Sequence, residues 1–445
     1  GGTGIFTGLL PFVWFTNQPS NSGLYQNMVE YNTQKNPGSL PADFGFNPNY
    51  RETLQKYPSL FPSTPSEQAP DVIAYVDPKF KMPQVWRSNL NVDIQLPYDF
   101  MLSVGAMYTR DIYNVAQINM NEAEPTGVYN EQPDRIYWAS KKYEYNDYTN
   151  GKNVVVKLSN GEDKGYQYSF NAILTKKYDF GFTGSIGYTY TMAKDLTANP
   201  GSAPNSAWQN NVAVNSLNDP GVSYSLFSTP HRIIANASYE INYAKCLKTT
   251  FSLFYSGYHT GRYSYTYYND MNGDGNYSDL IYVPNSQDEM TFVDITDKSG
   301  AITYSAVDQA KDFWDFVNND SYLKDRKGKY VERNGSLTPW INRFDFKIAQ
   351  DFYATLGGRK YGIQVSLDML NVGNMINSKW GAYQSCGLKS YDNVQLLKTA
   401  SKVGEPLTYQ INANSREAFK ERSSWQYTNT IGSAWSMQLG VKVTF

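Results

Sequence analysis

The sequence predicts an all-β protein whose antiparallel strands form part of a transmembrane β-barrel. Three observations predict this class: strand-period alternation, a polar composition rich in tyrosine, and connections that alternate between short and long. The 445 residues include 38 tyrosines, and 16% are aromatic, while the mean hydropathy is -0.54. No run approaches the roughly 18 apolar residues of a membrane helix. Such a composition fits strands with one face toward lipid and the other toward a wet lumen.

The C-terminal segment, residues 434–445, alternates most clearly. Its apolar residues occupy every second position and are Trp435, Met437, Leu439, Val441, Val443 and Phe445. Small or polar residues fill the positions between them. This period of two predicts a β-strand with one apolar face.

Nine further segments are predicted as strands. They begin near Gly2 and continue at 84–96, 100–109, 165–177, 182–192, 231–241, 250–261, 342–352 and 362–371. We expect the apolar sides of these strands and of the C-terminal strand to contact lipid. The residues expected to face lipid are Ile94, Leu96, Phe170, Ile186, Phe346, Val365 and Leu439.

The predicted connections differ sharply in length. The short ones lie near 97–99, 178–181, 242–248 and 353–360. The long ones lie at about 16–81, 111–163, 194–221, 269–338 and 377–432. Short periplasmic turns alternating with long extracellular loops are typical of outer-membrane barrels.

About ten strands predict an incomplete barrel. A sheet edge in hydrocarbon would expose unpaired N–H and C=O groups, each costing several kcal/mol. We therefore expect the strand near Gly2 and the strand at 434–445 to pair with strands outside this sequence. The chain is interpreted as the C-terminal part of a larger barrel.

Five segments in series resemble one family, the TonB-dependent outer-membrane transporters, and within it the Oar-like branch. They are "GGTGIFTGLLPFVWFTNQPSNSG", "STPHRIIANASYEI", "YNDMNGDGNYSDLIYVP", "NRFDFKIAQDF" followed by "LDMLNVGNMIN", and "MQLGVKVTF". The resemblance covers nearly the whole chain. It implies a 22-stranded barrel plugged by an N-terminal domain, of which residues 1–445 supply the C-terminal portion with long extracellular loops.

The resemblance also implies a location and partners. The location is the cell outer membrane, in contact with its lipid. The barrel-assembly machinery would read the terminal strand, in which Trp435, Leu439, Val441, Val443 and Phe445 form the insertion signal. The TonB complex would act through an N-terminal part that this sequence does not contain. A surface lipoprotein lid, as in SusC-type relatives, is a further expected partner.

Two functions remain open at the sequence level. The first is TonB-dependent transport of a bulky nutrient such as an oligosaccharide or a peptide, captured by the external loops. The alternative is a passive structural or adhesive barrel. The tyrosine-rich stretches 138–151 and 261–273 suit stacking on sugars or gripping of peptides, and they equally suit an aromatic girdle. An upstream plug domain and TonB box would distinguish the two functions.

A calcium loop is the sharpest local motif. Its candidate ligands are Asp270, Asn272, Asp274, Asn276 and Asp279. Oxygen side chains at loop positions one, three and five with Gly275 at position six match the start of an EF-hand-type loop. Position twelve is Ile281 rather than glutamate, so Asp279 would have to substitute. The alternative is an Asx- and glycine-rich turn at a loop tip.

Other motifs predict structure rather than chemistry. Residues 306–330 carry Val307, Ala310, Trp314 and Val317 at helical spacing, with Phe313 beside them, and predict a short helix in the loop that runs to about 338. Its apolar face is expected to pack on the base of that loop, and a partner site is the alternative. His231 and His259 lack surrounding metal or triad patterns, so no enzyme activity is expected. A net charge of -2 gives no reason to expect nucleic acid as a partner.

Overall fold

A computed structural model shows a long antiparallel sheet with a folded layer of loops at one end. The structure describes residues 1–445 except 22–28, 30, 62–63, 65–71, 147–152, 200, 278, 387–388, 391–392, 413–424 and 429. We call the ten long strands the wall. In chain order they are β1 Gly2–Thr7, β2 Gln84–Leu96, β3 Phe100–Tyr113, β4 Tyr166–Lys177, β5 Phe182–Asp195, β6 His231–Tyr243, β7 Leu247–His259, β8 Trp340–Leu356, β9 Arg359–Leu370 and β10 Ser436–Thr444.

Each wall strand pairs with its neighbour in sequence, and a short strand, Ser223–Tyr224, adds to β5. Every segment predicted as a strand overlaps one of these ten. The register aligns apolar positions, since Leu367 of β9 lies opposite Ile348 of β8 and Leu439 of β10. Continuous apolar rows across the sheet are what a lipid-facing surface requires.

The apolar side of the wall is exposed. Phe170 and Ile186 are each 54% exposed, and Leu439 is 72% exposed. Ile94 and Val365 are also exposed. Leu96 and Phe346 are half-buried. The predicted contact of these seven side chains with lipid stays a prediction.

The wall is an open sheet in this structure. β1 is hydrogen-bonded to β2 and β10 to β9, and no ladder joins β1 to β10 within the described residues. Pairing of either edge with strands outside this sequence therefore stays a prediction. Trp435 and Phe445 lie just outside β10, and both side chains are exposed.

The wall strands connect tightly at one end. Between β8 and β9 the two-residue turn Gly357–Gly358 has φ values of 57° and 78°. A hairpin turn with two positive φ values matches the right-handed twist of its strands, which explains glycine at both positions. In the turn between β6 and β7, Ala244 and Lys245 also have positive φ values, of 52° and 56°.

At the other end the wall strands are joined by five long loops. We name them L1 (8–83), L2 (114–165), L3 (196–230), L4 (260–339) and L5 (371–435). Successive antiparallel strands place all five at the same end of the wall. Barrels of this kind carry their long loops on the extracellular side.

The loops contain their own helices and strands. The helices are α1 Val13–Asn21, α2 Tyr50–Lys56, α3 Pro204–Gln209, α4 Ala306–Asn319 and α5 Gly373–Ile376, with 3-10 turns at Pro58–Leu60, Gln287–Glu289 and Leu323–Asp325. The short strands are Val72–Val76, Ala116–Asn119, Gly127–Val128, Ile136–Tyr137, Val154–Ser159, Arg262–Tyr267, Tyr282–Val283, Ile295–Thr296, Ile302–Tyr304, Lys329–Tyr330, Ser336–Leu337, Gln384–Cys386, Lys389–Ser390, Asn393–Thr399, Tyr409–Ile411 and Trp425–Tyr427. In the described residues, no helix has the length and apolar character needed to cross a membrane.

L2 to L5 share one hydrophobic core, and we call these four loops together the loop layer. Its buried members come from all four loops and include Tyr129, Val212, Tyr265, Tyr267, Ile281, Phe313, Phe316, Val394, Leu396 and Ile411. Parallel pairing of Arg262–Tyr267 in L4 with Asn393–Thr399 in L5 runs through this core. The four loops therefore pack against one another and are not separate, solvent-exposed loops.

The predicted helix in L4 is confirmed as α4. It begins after Ser305, whose hydroxyl oxygen accepts a hydrogen bond from the Asp308 N–H at 3.1 Å, an ordinary N-cap. The predicted face is confirmed for Val317, which is buried, and for Ala310 and Trp314, which pack half-buried against the core. Phe313 and Phe316 are also buried, whereas Val307 is 76% exposed, so its predicted place on this face is wrong. The larger aromatic side chains decide which face enters the core.

Candidate functional site in the loop layer

A buried arginine joins three loops. Arg135 of L2 is fully buried and donates to the backbone oxygens of Val214 in L3 and Leu280 in L4. Its Nη1 lies 3.5 Å from Asp279 Oδ1, and its guanidinium lies 4.8 Å from the centroid of the Tyr330 ring. A planar group with five donors suits this bridging role.

Two more buried arginines connect L4 to L3. Arg333 donates to the backbone oxygen of Leu196 and to Asn211 Oδ1, the latter at 3.1 Å. Arg262 donates to Ser228 Oγ at 2.6 Å and lies 4.4 Å from the Tyr224 ring centroid. Together with Arg135, they form what we call the guanidinium bridges. These bridges connect L2, L3 and L4.

Three of the four tyrosines of 261–273 are part of this core. Tyr263, Tyr265 and Tyr267 are at most 3% exposed. The Tyr265 hydroxyl donates to Asp320 Oδ2 at 2.7 Å, and Gln132 donates to the Tyr267 hydroxyl at 2.9 Å. These three buried rings are therefore available neither to stack on a ligand nor to form an aromatic girdle, whereas Tyr268 of the same stretch is 46% exposed. Alternation along a strand cannot distinguish an exposed aromatic face from a buried one.

The stretch 138–151 gives a similar result where the structure describes it. Trp138 is 4% exposed, and its indole N–H donates to the backbone oxygen of Ala123. Tyr145 remains 58% exposed. Residues 147–151 of this stretch lie outside the described residues.

The predicted calcium loop folds back on itself inside the layer. The Asp270 carboxylate accepts hydrogen bonds from the N–H groups of Gly273 and Gly275, at 2.7 and 2.9 Å. Asn272 Oδ1 accepts from Asp274 N–H at 3.1 Å. Asn272 is fully buried. The loop is thus an Asx-rich turn in a buried position, which corrects the alternative that placed such a turn at an exposed tip.

The carboxylates of this loop carry unusual electrostatics. Burial, followed by the nearby charges of Asp279 and Asp270, raises the pKa of Asp274 well above its usual value. Burial also raises the pKa of Asp279 to about 7, although Arg135 opposes that shift. Several acids in a desolvated space favour either protonation or a bound cation.

The fit of the loop to calcium is partial. Asn272 Nδ2 has no hydrogen-bond partner among the described residues. The ligand that an EF-hand takes from position twelve is missing, because Ile281 is fully buried in the hydrophobic core. Asp279 Oδ2 accepts from Met271 N–H at 3.1 Å, so this candidate substitute is engaged. In the described part of the chain, no group of three or more His, Cys, Asp or Glu side chains is arranged to hold a metal.

The histidines and cysteines lie apart from this loop. His231 Nδ1 is 2.7 Å from the Tyr188 hydroxyl, and His259 Nδ1 is 2.6 Å from the backbone oxygen of Thr338. No disulfide joins Cys246 and Cys386.

Sequence reasoning missed a cavity between L2 and L3. Its volume is about 530 Å³, and its floor includes the buried side chains of Gln117, Ala207, Trp208 and Leu217. Exposed carboxylates of Glu162, Asp163 and Asp219 lie at its margin. These residues come from segments separated by more than 40 positions, so no local motif could have indicated the cavity.

A family comparison identifies the class of this protein. The sequence model of a family described as "outer membrane beta barrel domain" matches residues 1–380. Among solved structures, the outer membrane transporter YddB from Escherichia coli aligns with 10% sequence identity and a TM-score of 0.37 over 86% of this chain. The chain covers 35% of that structure's length. No curated protein matches the sequence. The family match spans most of the chain, so this protein belongs to the outer membrane beta-barrel domain family and lies in the outer membrane.

Proposed function

We propose that this protein is an outer-membrane transporter that takes up a bulky nutrient, such as an oligosaccharide or a peptide, by a TonB-dependent mechanism. The observation that carries the proposal is the loop layer. A packed assembly with a polar cavity, built on the long-loop end of a membrane sheet, is suited to capturing a ligand. The resemblance of five segments to Oar-like transporters supports the TonB-dependent part.

Three partners follow from this proposal. The TonB complex would supply energy through an N-terminal plug, and the barrel-assembly machinery would recognise the exposed apolar side of β10 and Phe445. A surface lipoprotein would cover the loop layer. The chain itself would contribute the membrane wall and the capturing surface, with no catalytic role.

Uptake in the native cell tests the proposal. Cells lacking the protein are supplied with neutral oligosaccharides or peptides as the sole carbon source, beside wild-type cells and cells lacking TonB. We expect the loss of growth on the same nutrient in both deletion strains. Normal growth on every nutrient combined with reduced attachment to surfaces would contradict transport and support the passive adhesive alternative.

We also propose that residues 269–280 bind calcium as a structural ion. Support comes from the buried Asp274 and Asp279 and from the side-chain oxygens at positions one, three and five. Chelation should raise protease cleavage within 269–280 and leave the wall intact, because ion binding and local folding are coupled. Identical cleavage with and without chelator would return the loop to a plain turn.

A further inference from the structure

The apolar side of the wall carries a cleft toward its loop end. The cleft lies over Ala106 of β3, whose partners on the flanking strands are Leu90 of β2 and Phe170 of β4. A small side chain between two large ones leaves a hollow, and the paired Tyr108 and Tyr168 bound it on the side of the loops. Its volume is about 510 Å³. Because β1 pairs with β2, the cleft lies within the sheet and not at its open edge.

Aromatic rings frame this cleft. The Trp86 and Tyr108 ring centroids are 5.9 Å apart, and the Tyr168 ring lies 6.0 Å from Phe170 and 6.4 Å from Tyr166. Tryptophan and tyrosine are enriched where hydrocarbon meets the polar headgroups of a membrane. The rings therefore place the mouth of the cleft at the headgroup level. A general aromatic belt accounts for the rings but not for the cation beside them.

That cation is Arg110. It lies on the same side of β3 as Ala106 and Tyr108, one row nearer the loops, and its register partners are Trp86 and Tyr166. Its side chain is exposed, and in the described part of the chain no carboxylate forms an ion pair with it. A guanidinium next to hydrocarbon is costly unless it reaches an anion or water.

The loop end of the wall offers no second cation in the same state on its apolar side, as far as the structure describes it. Lys194 of β5 lies 3.7 Å from the Glu332 carboxylate and 4.6 Å from the Tyr224 ring centroid, so it is engaged. At the loop ends of β6, β7 and β8 the apolar side carries His231, His259 and Trp340. The exposed guanidinium is therefore local to the cleft.

We propose that this cleft binds a phosphate-bearing lipid of the outer leaflet, with the phosphate on Arg110 and part of an acyl chain over Ala106. A guanidinium donates paired hydrogen bonds to phosphate oxygens, which gives geometric selectivity as well as charge. The apolar cleft directly below supplies the matching site for hydrocarbon. The site is more specific than the general contact of the wall with lipid, because it selects a headgroup. It does not depend on the proposed uptake function.

Native mass spectrometry of the intact protein, purified in detergent, tests the inference. The probes are monophosphoryl lipid A, dioleoyl phosphatidic acid, dioleoylglycerol and inorganic phosphate. We expect one molecule of at least one phosphorylated lipid to be retained per protein. Dioleoylglycerol lacks the anion and inorganic phosphate lacks the chain, so both should be lost. Equal retention of dioleoylglycerol would show unselective lipid contact, and equal retention of inorganic phosphate would show an anion site without a lipid. Either result, or loss of both phosphorylated lipids, would overturn the inference.

The variant R110Q tests the headgroup contact. It should weaken binding of the phosphorylated lipid roughly 10–100-fold, because it removes charge-assisted hydrogen bonds. R110K keeps the charge without the planar fork and should bind with intermediate affinity. R232Q is the matched control, since Arg232 is also exposed at the loop end but lies on the opposite side of the wall, 5.9 Å from the Tyr258 ring centroid. It should bind like the wild type. Equal binding by R110Q and wild type would contradict the proposed phosphate contact.

The variant A106L tests the acyl contact separately. It fills the cleft without changing any charge and should weaken binding roughly tenfold, because the hydrocarbon it displaces loses its apolar contacts. A172L is the matched control. Ala172 lies on the same side of the wall, opposite Val104, and does not line the cleft. If A106L bound the lipid as tightly as A172L and the wild type, the cleft would not hold an acyl chain.

Discussion

The wall exposes its apolar side chains, whereas the loop layer buries them. Leu439 and Phe170 in the wall are 72% and 54% exposed, whereas Tyr265 and Tyr267 in the loop layer are fully buried. Both regions draw on the same aromatic-rich composition. The difference shows that the solvent around each region decides whether its apolar side chains are exposed or buried. Hydrocarbon accepts the wall's apolar side, and water drives the loops to form a core.

The largest expected effect concerns the guanidinium bridges. R135M removes a buried charge and leaves the backbone oxygens of Val214 and Leu280 and the Asp279 carboxylate without that donor. Breaking one side of such a buried network costs about 3–5 kcal/mol, and the loss should be confined to the loop layer. Hydrogen exchange should rise in L2, L3 and L4 but not in the wall strands.

R359M is its control, because Arg359 is exposed beside the turn between β8 and β9. It should change exchange in neither region. If R135M loosened the wall as much as the loops, the two regions would be one cooperative unit and the comparison would fail.

The next effect belongs to the wall. L439R places a charge on the exposed apolar side of β10 and should destabilise the assembled barrel by about 2–4 kcal/mol if the site is near the bilayer midplane. Unfolding in lipid vesicles measures the change. Q438R, one residue away on the opposite side, should cost far less. A spin label at Leu439 that proved water-accessible and lipid-inaccessible would contradict the assignment of this face.

A smaller effect is expected inside the loop layer from Y265F. The change removes the hydroxyl that donates to Asp320 Oδ2 at 2.7 Å and should cost about 1–3 kcal/mol, because it leaves the carboxylate with one donor fewer. The control Y268F alters a tyrosine that is 46% exposed and should be nearly neutral. Protease resistance of L4 is the measurement. Equal resistance of both variants would argue against a buried polar network.

The smallest effect, taken over one pH unit, is the pH dependence of the loop at 269–280. The pKa of Asp279 is raised to about 7, above its unfolded value near 4, so the folded loop binds more protons between these values. Without added ions its stability should be greatest below pH 4 and should fall by up to about 1.4 kcal/mol per pH unit as the pH rises toward 7. Hydrogen exchange of the loop at pH 5 and 6, corrected for the intrinsic rate, tests this. D279N should reduce the slope, and the raised pKa of Asp274 should account for the remainder.

The sequence contained enough to predict the wall. Its strands follow a period of two because each has one side toward hydrocarbon, and that signal is local. Helix α4 can also be predicted from the sequence, although its apolar spacing places Val307 on the buried face and leaves out Phe316. The helical period defines an apolar stripe along the helix. The residues that pack against the helix decide how far the helix is rotated about its axis, and therefore which side chains are buried.

The rest of the loop layer depends on contacts between distant residues. Tyr265 pairs with Val394, more than 100 positions away, and no local pattern specifies that parallel contact. Gln117 looks like an ordinary strand glutamine in the sequence. The cavity that it lines is bounded by residues of L2 and L3 that lie far apart in the sequence. The cavity is thus a property of assembly rather than of any one segment.

The guanidinium bridges limit how this surface can evolve. Arg135 and Arg333 each take backbone oxygens of L3 as acceptors, so an exchange of L3 between relatives would have to preserve the positions of Val214 and Leu196. A transplanted loop of a different length would leave the buried guanidinium groups of Arg135 and Arg333 without these acceptors. Under the proposed uptake function, new specificities are therefore expected to arise by point changes at the cavity or by inheritance of the four loops as a single block.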